Sequence, residues 1–222
     1  MALLLVLQSA AFCDTVRLPM DIVLATRNKK KIEEIKRIIV DLPITILSLE
    51  DYPDCPEVAE DKDTFEGNAV KKAVEVCRCT GKPALADDSG LEVDALGGAP
   101  GVYSARYAPD ASGGNDPKNY EKLLLDLKHT PDEQRGARFV CCLALAFPEG
   151  GFKTFFGFAP GRIGREPRGK QGFGYDPVFI PKGYEPTFAE MTAEEKDRLS
   201  HRGKAIEKLA EFLRSSVVYK QN

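Results

Sequence analysis

The stretch DIVLATRNKKKIEEIKRII, Asp21–Ile39, combines two different hydrophobic periodicities. Its first part, Asp21–Thr26, is a short apolar run with β-branched residues, which is typical of a buried strand. Four isoleucines then recur at the spacing of one helix face, namely Ile32, Ile35, Ile38 and Ile39. A strand that runs directly into an amphipathic helix is the basic unit of an α/β protein, so this stretch predicts that fold class.

The same alternation continues along the rest of the chain. The hydrophobic pattern predicts further helices at 64–79, 117–128 and 192–216, the last with a break between Ser200 and Gly203. It predicts further strands at 83–88, 138–147, 152–163 and 178–181, of which the second and third form a hairpin. We therefore expect a mixed central sheet flanked by helices, in a single domain over residues 20–217, with two lobes and a cleft between them.

The composition limits the partners of the protein. The 222 residues are 43% hydrophobic and 29% charged, which is ordinary for a globular protein. A formal net charge of −3 gives no general attraction to nucleic acid polymers or anionic membranes, so we expect neither as a partner. Any polyanion that the protein binds must meet a local basic site, which favours a small anion.

The six cysteines form no recognisable metal or disulfide pattern. They show no CxxC pair, and neither histidine lies near one of them, so a zinc site is not indicated. We expect all six to be reduced in a cytoplasmic protein, several of them as core residues. They are Cys13, Cys55, Cys77, Cys79, Cys141 and Cys142.

Residues 1–19 differ from the rest of the chain. The run MALLLVLQSAAF is apolar but far too short to span a bilayer, and no Lys or Arg precedes it. We interpret residues 1–19 as an N-terminal extension that is dispensable or absent from the native product, with Met20 as the working start. The alternative is a secretory signal peptide, because small residues follow the apolar run.

The turn after the first predicted strand is strongly basic. Thr26 and Asn28 are both possible caps of the helix that follows. Free N–H groups and the helix dipole already make a helix N-terminus positive, so clustered cations there favour binding of an anion such as phosphate. The alternative is a solvated face in which Glu33 and Glu34 pair with these cations. The basic residues are Arg27, Lys29, Lys30 and Lys31.

The stretch ALADDSGLEVDALGG, Ala84–Gly98, places Asp87 and Asp88 at the expected end of a buried strand. Adjacent strand residues point to opposite faces, so we expect one carboxylate to be structural and the other to face a cleft. A cleft carboxylate can bind Mg²⁺ or accept a proton from water, whereas the alternative is a simple turn. Further acidic residues that could complete a metal site precede the second helix, namely Glu57, Glu60, Asp61 and Asp63.

Two later stretches carry further candidate binding residues. In GKQGFGYDPVF, 169–179, glycines permit close backbone approach, and Phe173 and Tyr175 offer faces on which a base could stack, although packing is the alternative. In KDRLSHRGKA, 196–205, three polar side chains converge at the predicted helix break, although a simple capping serine is the alternative. The three are Ser200, His201 and Arg202.

Taken together, five stretches resemble the noncanonical purine nucleoside triphosphate pyrophosphatases, also called inosine or xanthosine triphosphate pyrophosphatases or the Ham1-like family. They are TRNKKK, TFEGNAVKKA, ADDSGLEVDALGGAPGVYSARYA, GFGYDPVF and FAEMTAEEKDRLSHRGKA. The resemblance runs from about Met20 to the C-terminal helix. It implies a Mg²⁺-dependent homodimeric hydrolase that cleaves ITP, dITP or XTP between the α- and β-phosphates, releasing the monophosphate and pyrophosphate.

The resemblance also implies roles for individual residues. Asp88 would be the proton acceptor and a metal ligand, and Asp87 would brace the chain beside it. His201 and Arg202 would read the 6-oxo group of the purine, and Lys196 would reach the nucleotide. The remaining substrate contacts would come from Thr26, Arg27, Asn28, Lys29, Lys30, Lys31, Ser89, Phe173, Gly174, Tyr175 and Asp176.

The chain departs from the family pattern at two places. It has Gly67-Asn68-Ala69 where the family usually has Glu-Asn-Ala, and Ala59-Glu60 where the family usually has two glutamates. The second metal ligand is therefore either Glu60 or Glu57. Two other functions stay open: a Maf-type nucleotide pyrophosphatase, which should lack the Ser-His-Arg turn, and a nucleotide-binding module without catalysis.

Overall fold

Six strands form one mixed sheet in the computed structural model, which describes residues 20–42, 44–109 and 116–218. The strands are β1 (Met20–Leu24), β2 (Ile44–Ser48), β3 (Ala84–Val93), β4 (Gly136–Ala146), β5 (Phe152–Ile163) and β6 (Phe179–Pro181). Their order across the sheet is β2-β1-β3-β4-β5-β6. The expected α/β class with a mixed sheet is confirmed, whereas the division into two lobes stays a prediction.

The β3 strand joins the parallel and antiparallel halves of the sheet. It pairs in parallel with β1 through only two residues, whereas it pairs in antiparallel with β4 along all ten of its own. This long antiparallel ladder explains why β3 does not end at Asp88, as the sequence had led us to expect, but continues to Val93. The two aspartates therefore lie in the middle of a strand rather than at a turn.

Helices cover both faces of the sheet. They are α1 (Lys29–Ile38), α2 (Phe65–Thr80), α3 (Asp116–Asp126), α4 (Ala193–Leu199) and α5 (His201–Val218). Helix α2 packs on β3 and β4, and its small residues Ala69 and Ala73 belong to a buried cluster with Ala86. On the opposite face, α5 packs on β4 and β5, and its Leu209 shares a second buried cluster with Ile35.

Most predicted elements are confirmed, and one strand was missed. The hairpin of β4 and β5 is present, and Ser200 interrupts the C-terminal helical region with an extended backbone, as expected. The β2 strand was not predicted, because its five residues, ITILS, are too few to show a clear alternation of apolar and polar residues. The expectations for residues 1–19, including Cys13, lie outside the described residues. Over the described ranges, no helix is both long and apolar enough to cross a membrane.

Cys55 and Cys79 form a disulfide, so the expectation of six reduced cysteines is wrong for this pair. Their Cα atoms lie 5.9 Å apart, which suits a disulfide. The bridge joins the last turn of α2 to the 52–64 segment, which has no helix or strand. Cys77, Cys141 and Cys142 are buried free thiols, as expected for core residues.

Candidate active site

A cavity of about 740 Å³ collects most of the residues that the sequence singled out. It lies beyond the C-terminal end of β1, which is where ligands bind in open α/β sheets. Lys29 and Lys30 are not part of its lining, and Lys29 is exposed. The predicted residues that do line it are Thr26, Arg27, Asn28, Lys31, Glu57, Glu60, Asp88, Ser89, Phe173, Gly174, Tyr175, Asp176, Lys196, His201 and Arg202.

Several of the free N–H groups and cations at the start of α1 already have partners within the protein. Asn28 caps the helix, and its side-chain oxygen accepts hydrogen bonds from the backbone N–H groups of Lys30 and Lys31 at 3.1 and 3.3 Å. The Lys30 ammonium lies 2.9 Å from a carboxylate oxygen of Asp116, and Lys31 lies 2.5 Å from Asp87. The cations thus pair with distant carboxylates and not with the neighbouring glutamates of α1.

Asp87 points to the α5 face of the sheet and is fully buried. It accepts hydrogen bonds from Arg202 Nε at 3.0 Å and from the Ser89 hydroxyl at 2.9 Å, and the thiol of Cys141 lies at 3.2 Å. Burial opposes ionisation of Asp87, but the charges of Arg202 and Lys31 outweigh it and hold the pKa well below its usual range. Asp87 is therefore a permanently charged structural anchor.

Asp87 belongs to an unbroken chain of six alternating charges. Arg202 also contacts Glu34, and Lys196 contacts both Glu34 at 2.5 Å and Asp176 at 2.6 Å. All members except Lys31 are at least nine-tenths buried, and each interior member has two partners of opposite charge. We call this set the charge chain; in order it runs Lys31, Asp87, Arg202, Glu34, Lys196 and Asp176.

Asp88 points to the opposite face of the sheet and lines the cavity. One of its oxygens, Oδ1, lies 3.2 Å from the ammonium of Lys72, whereas the buried Oδ2 has no hydrogen-bond partner. Burial raises the pKa of Asp88, although Lys72 opposes the shift. A buried carboxylate with a free oxygen and a raised pKa is suited to accept a proton or bind a cation.

Glu60 and Asp88 both contact the ammonium of Lys72. The Lys72 Nζ contacts Glu60 and also donates to the backbone carbonyl of Asp87 at 2.8 Å. Glu57 lines the cavity too, but the structure gives it no ion pair among the described residues. The arrangement therefore favours Glu60 over Glu57 as the second carboxylate beside Asp88.

The loop before β6 forms another wall of the cavity. Gly172 has φ of +73°, and a Cβ there would lie 2.1 Å from Asp176 Oδ2, so only glycine fits. The Phe173 ring lies 5.0 Å from the Lys196 ammonium and 5.7 Å from the Arg202 guanidinium, measured to the ring centre. An aromatic ring over two cations is positioned where a planar base could also stack.

His201 combines a fixed ring with a free nitrogen. The imidazole stacks on Phe139 with ring centres 4.7 Å apart, and its buried Nδ1 has no hydrogen-bond partner. Burial and the nearby Arg202 hold the pKa of His201 well below its usual value, so the ring is neutral. In contrast, Arg202 directs its donors to Asp87, Glu34 and Ser89 within the protein.

Comparison with known proteins shows to which family this chain belongs. The family model described as the Ham1 family matches residues 22–212. A dITP/XTP pyrophosphatase of Geobacter sulfurreducens is 52% identical over 192 residues, covering 86% of this chain and 96% of that protein. The dITP/XTP pyrophosphatase of Bacillus subtilis is 46% identical over 191 residues, with the same coverage of 86% and 96%.

The chain belongs to the Ham1 family. Solved structures of Ham1 proteins share its fold: the HAM1 protein of Coxiella burnetii superposes with a TM-score of 0.80 at 40% identity, covering 88% of this chain and 99% of the other. A Mycobacterium abscessus protein, a nucleoside-triphosphatase and dITP/XTP pyrophosphatase, gives a TM-score of 0.71 at 47% identity, covering 86% and 98%. The resemblance inferred from the five sequence stretches is thus confirmed.

Two residues of this Ham1 site were missed by sequence reasoning. Lys72 adjoins the apolar face of α2 that was recognised from Ala69 and Ala73, and a lysine on a buried face is itself a signal of a charged partner. Glu34 adjoins Ile35 on the buried face of α1 but was interpreted only as a local partner of the lysines. In both cases, the partner lies outside the helix that carries the residue: Lys72 contacts Glu60 and Asp88, and Glu34 contacts Lys196 and Arg202.

Proposed function

We propose that this chain hydrolyses noncanonical purine nucleoside triphosphates, such as dITP, XTP and ITP, to the nucleoside monophosphate and pyrophosphate. Such an activity would remove these compounds from the nucleotide pool. The observation that carries the proposal is Asp88, a buried cavity carboxylate with a free oxygen, in a chain whose relatives include enzymes named dITP/XTP pyrophosphatases.

Asp88 is the proposed proton acceptor. Its raised pKa makes it a stronger base than an exposed aspartate, while the Lys72 ammonium favours its ionised form near neutral pH. Asp88 can therefore take a proton from the water molecule that attacks the phosphate. Lys72 holds Asp88 and Glu60 in place before the substrate binds.

We propose that Asp88 and Glu60 also hold Mg²⁺. The residues fit this ion because one buried oxygen of Asp88 lacks a partner, and Mg²⁺ commonly uses one or two carboxylates together with water and substrate phosphates. No cluster of three or more candidate ligand side chains occurs in the described part of the chain, so a fully protein-coordinated site is not the arrangement proposed. When bound, the ion would neutralise charge on the phosphates.

Recognition of the base is proposed to centre on His201. His201 lines the cavity, and we propose that its partnerless Nδ1 carries the ring proton and donates to the 6-oxo group of the purine, while the Phe173 ring stacks on the base. A donor aimed at a 6-oxo group is left unpaired by the 6-amino group of ATP. We expect this mismatch to disfavour ATP by about tenfold or more.

The activity is tested by measuring pyrophosphate release from dITP, ITP, XTP, GTP, ATP and dTTP, with and without Mg²⁺. We expect Mg²⁺-dependent release, fastest with dITP, ITP and XTP. Preferential cleavage of dTTP would instead favour a Maf-type enzyme. Binding of these nucleotides without release would identify a non-catalytic module.

A homodimer is proposed as the working form. On the face of β5 beside α2, Phe152 and Phe158 are 47% and 40% exposed, because α2 covers mainly β3 and β4. A second copy would cover these rings. Light scattering of the wild type should therefore give twice the monomer mass, whereas Phe158→Glu should give the mass of the monomer. Leu125→Glu on α3 is the control and should keep the mass of the dimer. A monomeric wild type would refute the proposal.

We further propose that the enzyme acts in the cytoplasm, where nucleoside triphosphates are synthesised. Disulfides such as Cys55–Cys79 are uncommon in reducing compartments, so the test also measures whether these two cysteines are oxidised in the native protein. Fractionation of native cells should place the protein with cytoplasmic markers. Its recovery outside the cytoplasm would contradict the proposal.

A further inference from the structure

The cations that line the cavity differ in how fully their charge is neutralised. Four of them have a carboxylate oxygen within 3.2 Å: Lys31, Lys72, Lys196 and Arg202. Arg27 has no ion pair among the described residues and donates only to the backbone carbonyl of Cys55, at 3.2 Å. For Arg106, the closest carboxylate oxygen is Glu60 Oε2 at 3.8 Å. These two guanidinium groups are therefore the cavity cations that are most available to an added anion.

Arg106 is held in a way that leaves most of its donors free. It ends the 3₁₀ helix Gly101–Arg106, and its guanidinium lies 5.1 Å from the Tyr103 ring centre. One nitrogen donates to the backbone carbonyl of Glu60 at 3.3 Å, which is its only hydrogen bond among the described residues. Stacking on an aromatic ring fixes the plane of an arginine without using its N–H groups, which suits bidentate contact with phosphate.

The two guanidinium groups reach the cavity from different walls. Arg27 follows β1 and contacts Cys55, whereas Arg106 follows β3 and contacts Glu60, five residues later in the same segment. Glu60 is also the proposed second metal ligand, so Arg106 lies beside the expected position of the phosphates.

We propose that Arg106 binds the phosphate chain of the substrate and holds the pyrophosphate that leaves. This assignment rests on the proposed function. In that role, Arg106 stabilises the negative charge that the leaving group gains when the bond between the α- and β-phosphates breaks. It contributes nothing to recognition of the base.

The test measures binding of two products to the intact protein by calorimetry, with Mg²⁺ present: inorganic pyrophosphate and inosine monophosphate. Arg106→Gln should weaken pyrophosphate binding by about 10- to 100-fold, which is the loss expected for charge-assisted hydrogen bonds, and leave monophosphate binding unchanged. Arg106→Lys should recover part of the loss. Weakening of both ligands by the same factor, or no weakening of either, would overturn the proposal.

Arg138→Gln is the matched control. Arg138 is another half-exposed arginine that lies over an aromatic ring, Phe158 at 5.4 Å, but it pairs with Glu92 and does not line the cavity. Its substitution should change neither affinity, and Arg106→Gln should keep the wild-type melting temperature. Pyrophosphate binding that depends on Arg106, in a protein that hydrolyses none of the triphosphates, would confirm Arg106 as a pyrophosphate-binding residue but refute the proposed function and, with it, the leaving-group role of Arg106.

Discussion

Asp87 and Asp88 are adjacent in sequence but occupy opposite electrostatic environments. The α5 face surrounds Asp87 with Lys31 and Arg202, which keep its pKa low, whereas burial raises the pKa of Asp88 against the opposing charges of Lys72 and Lys31. The alternation of side chains along a strand places the two groups on opposite faces of the sheet. One carboxylate can therefore be held rigidly while its neighbour stays available for chemistry.

Asp88→Asn should abolish most activity without unfolding the protein. The amide keeps the shape of the side chain but cannot accept the proton, and loss of such a base costs about 100-fold or more in rate. Triphosphate binding should stay measurable by calorimetry, and the melting temperature should not fall. An Asp88→Asn enzyme with near-normal turnover would show that another group is the base.

Asp87→Asn should mainly reduce stability. The substitution leaves Lys31 and Arg202 facing each other without their shared anion, and breaking a buried charge pair typically costs about 3–5 kcal/mol. Urea denaturation measures the loss directly. An Asp87→Asn protein as stable as the wild type but inactive would reverse the roles assigned to the two aspartates.

His201 should make stability fall in mild acid. Its pKa is well below the usual value in the folded protein, because burial and Arg202 disfavour the charged ring. Below about pH 6.5 the unfolded chain therefore binds a proton that the folded chain does not, and stability decreases with falling pH. The effect amounts to about 2 kcal/mol between pH 7 and pH 5.

His201→Gln removes this dependence and tests it. The difference in unfolding free energy between wild type and variant should change by about this amount across the same pH range. His129→Gln is the control, because His129 is the other histidine of the chain and is exposed. A pH dependence that is identical in the wild type and His201→Gln would show that His201 has the same pKa in the folded protein as in the unfolded chain.

Sequence patterns anticipated the separation of the two aspartates but not their partners. The period of two along a strand requires opposite faces for neighbours, whatever the tertiary structure. The partner of Lys31 is instead set by the pairing of β1 with β3, which brings Asp87 to the start of α1. Local spacing favoured Glu34, which the fold uses to hold Lys196 and Arg202.

At the scale of elements, the position of α5 depends on a missing side chain in β5. A Cβ at Gly157 would lie 1.9 Å from the carbonyl oxygen of His201, so the first turn of α5 can approach the strand only at glycine. This contact fixes the depth at which His201 and Arg202 enter the site. The glycine was part of the predicted strand, but nothing in the sequence indicated which element approaches it.

Gly157→Ala should therefore impair both folding and substrate binding. Displacing α5 should cost about 1–3 kcal/mol, as overpacking usually does, and should raise KM more than it lowers kcat. Gly164→Ala is the control, since a Cβ there meets its nearest neighbour at 3.5 Å. If Gly157→Ala behaves like Gly164→Ala in urea denaturation and kinetics, the helix is not positioned by this contact.

At the scale of the whole molecule, the Cys55–Cys79 disulfide closes a loop across residues that line the cavity. The two cysteines are separated by 24 positions in sequence, so reduction should cost about 3.5 kcal/mol by the loop-entropy model. The unfolding free energy with and without a dithiol reductant measures this loss. Peptide mapping should recover the two cysteines in one cross-linked peptide, and the stability of Cys79→Ser should not respond to the reductant.

The disulfide and the β2 strand could not be predicted from the sequence. The pairing of Cys55 with Cys79 depends on how the irregular 52–64 segment folds back on α2, and no local pattern encodes that path. The β2 strand is short and pairs only with β1, so its five residues carry little periodic signal. In contrast, long amphipathic or fully buried elements such as α2 and β4 were recognisable from their own residues.

The charge chain also restricts how this protein can change over evolutionary time. Every interior member serves two neighbours of opposite sign, so reversing the charge of Glu34 alone would bring three cations together in the interior. A second substitution at one neighbour would repair one contact and leave the other repulsive. We therefore expect selection to remove single charge-changing substitutions at all of these positions. A sequence that alters the charge chain and still folds would have to replace several of its members by neutral residues at once.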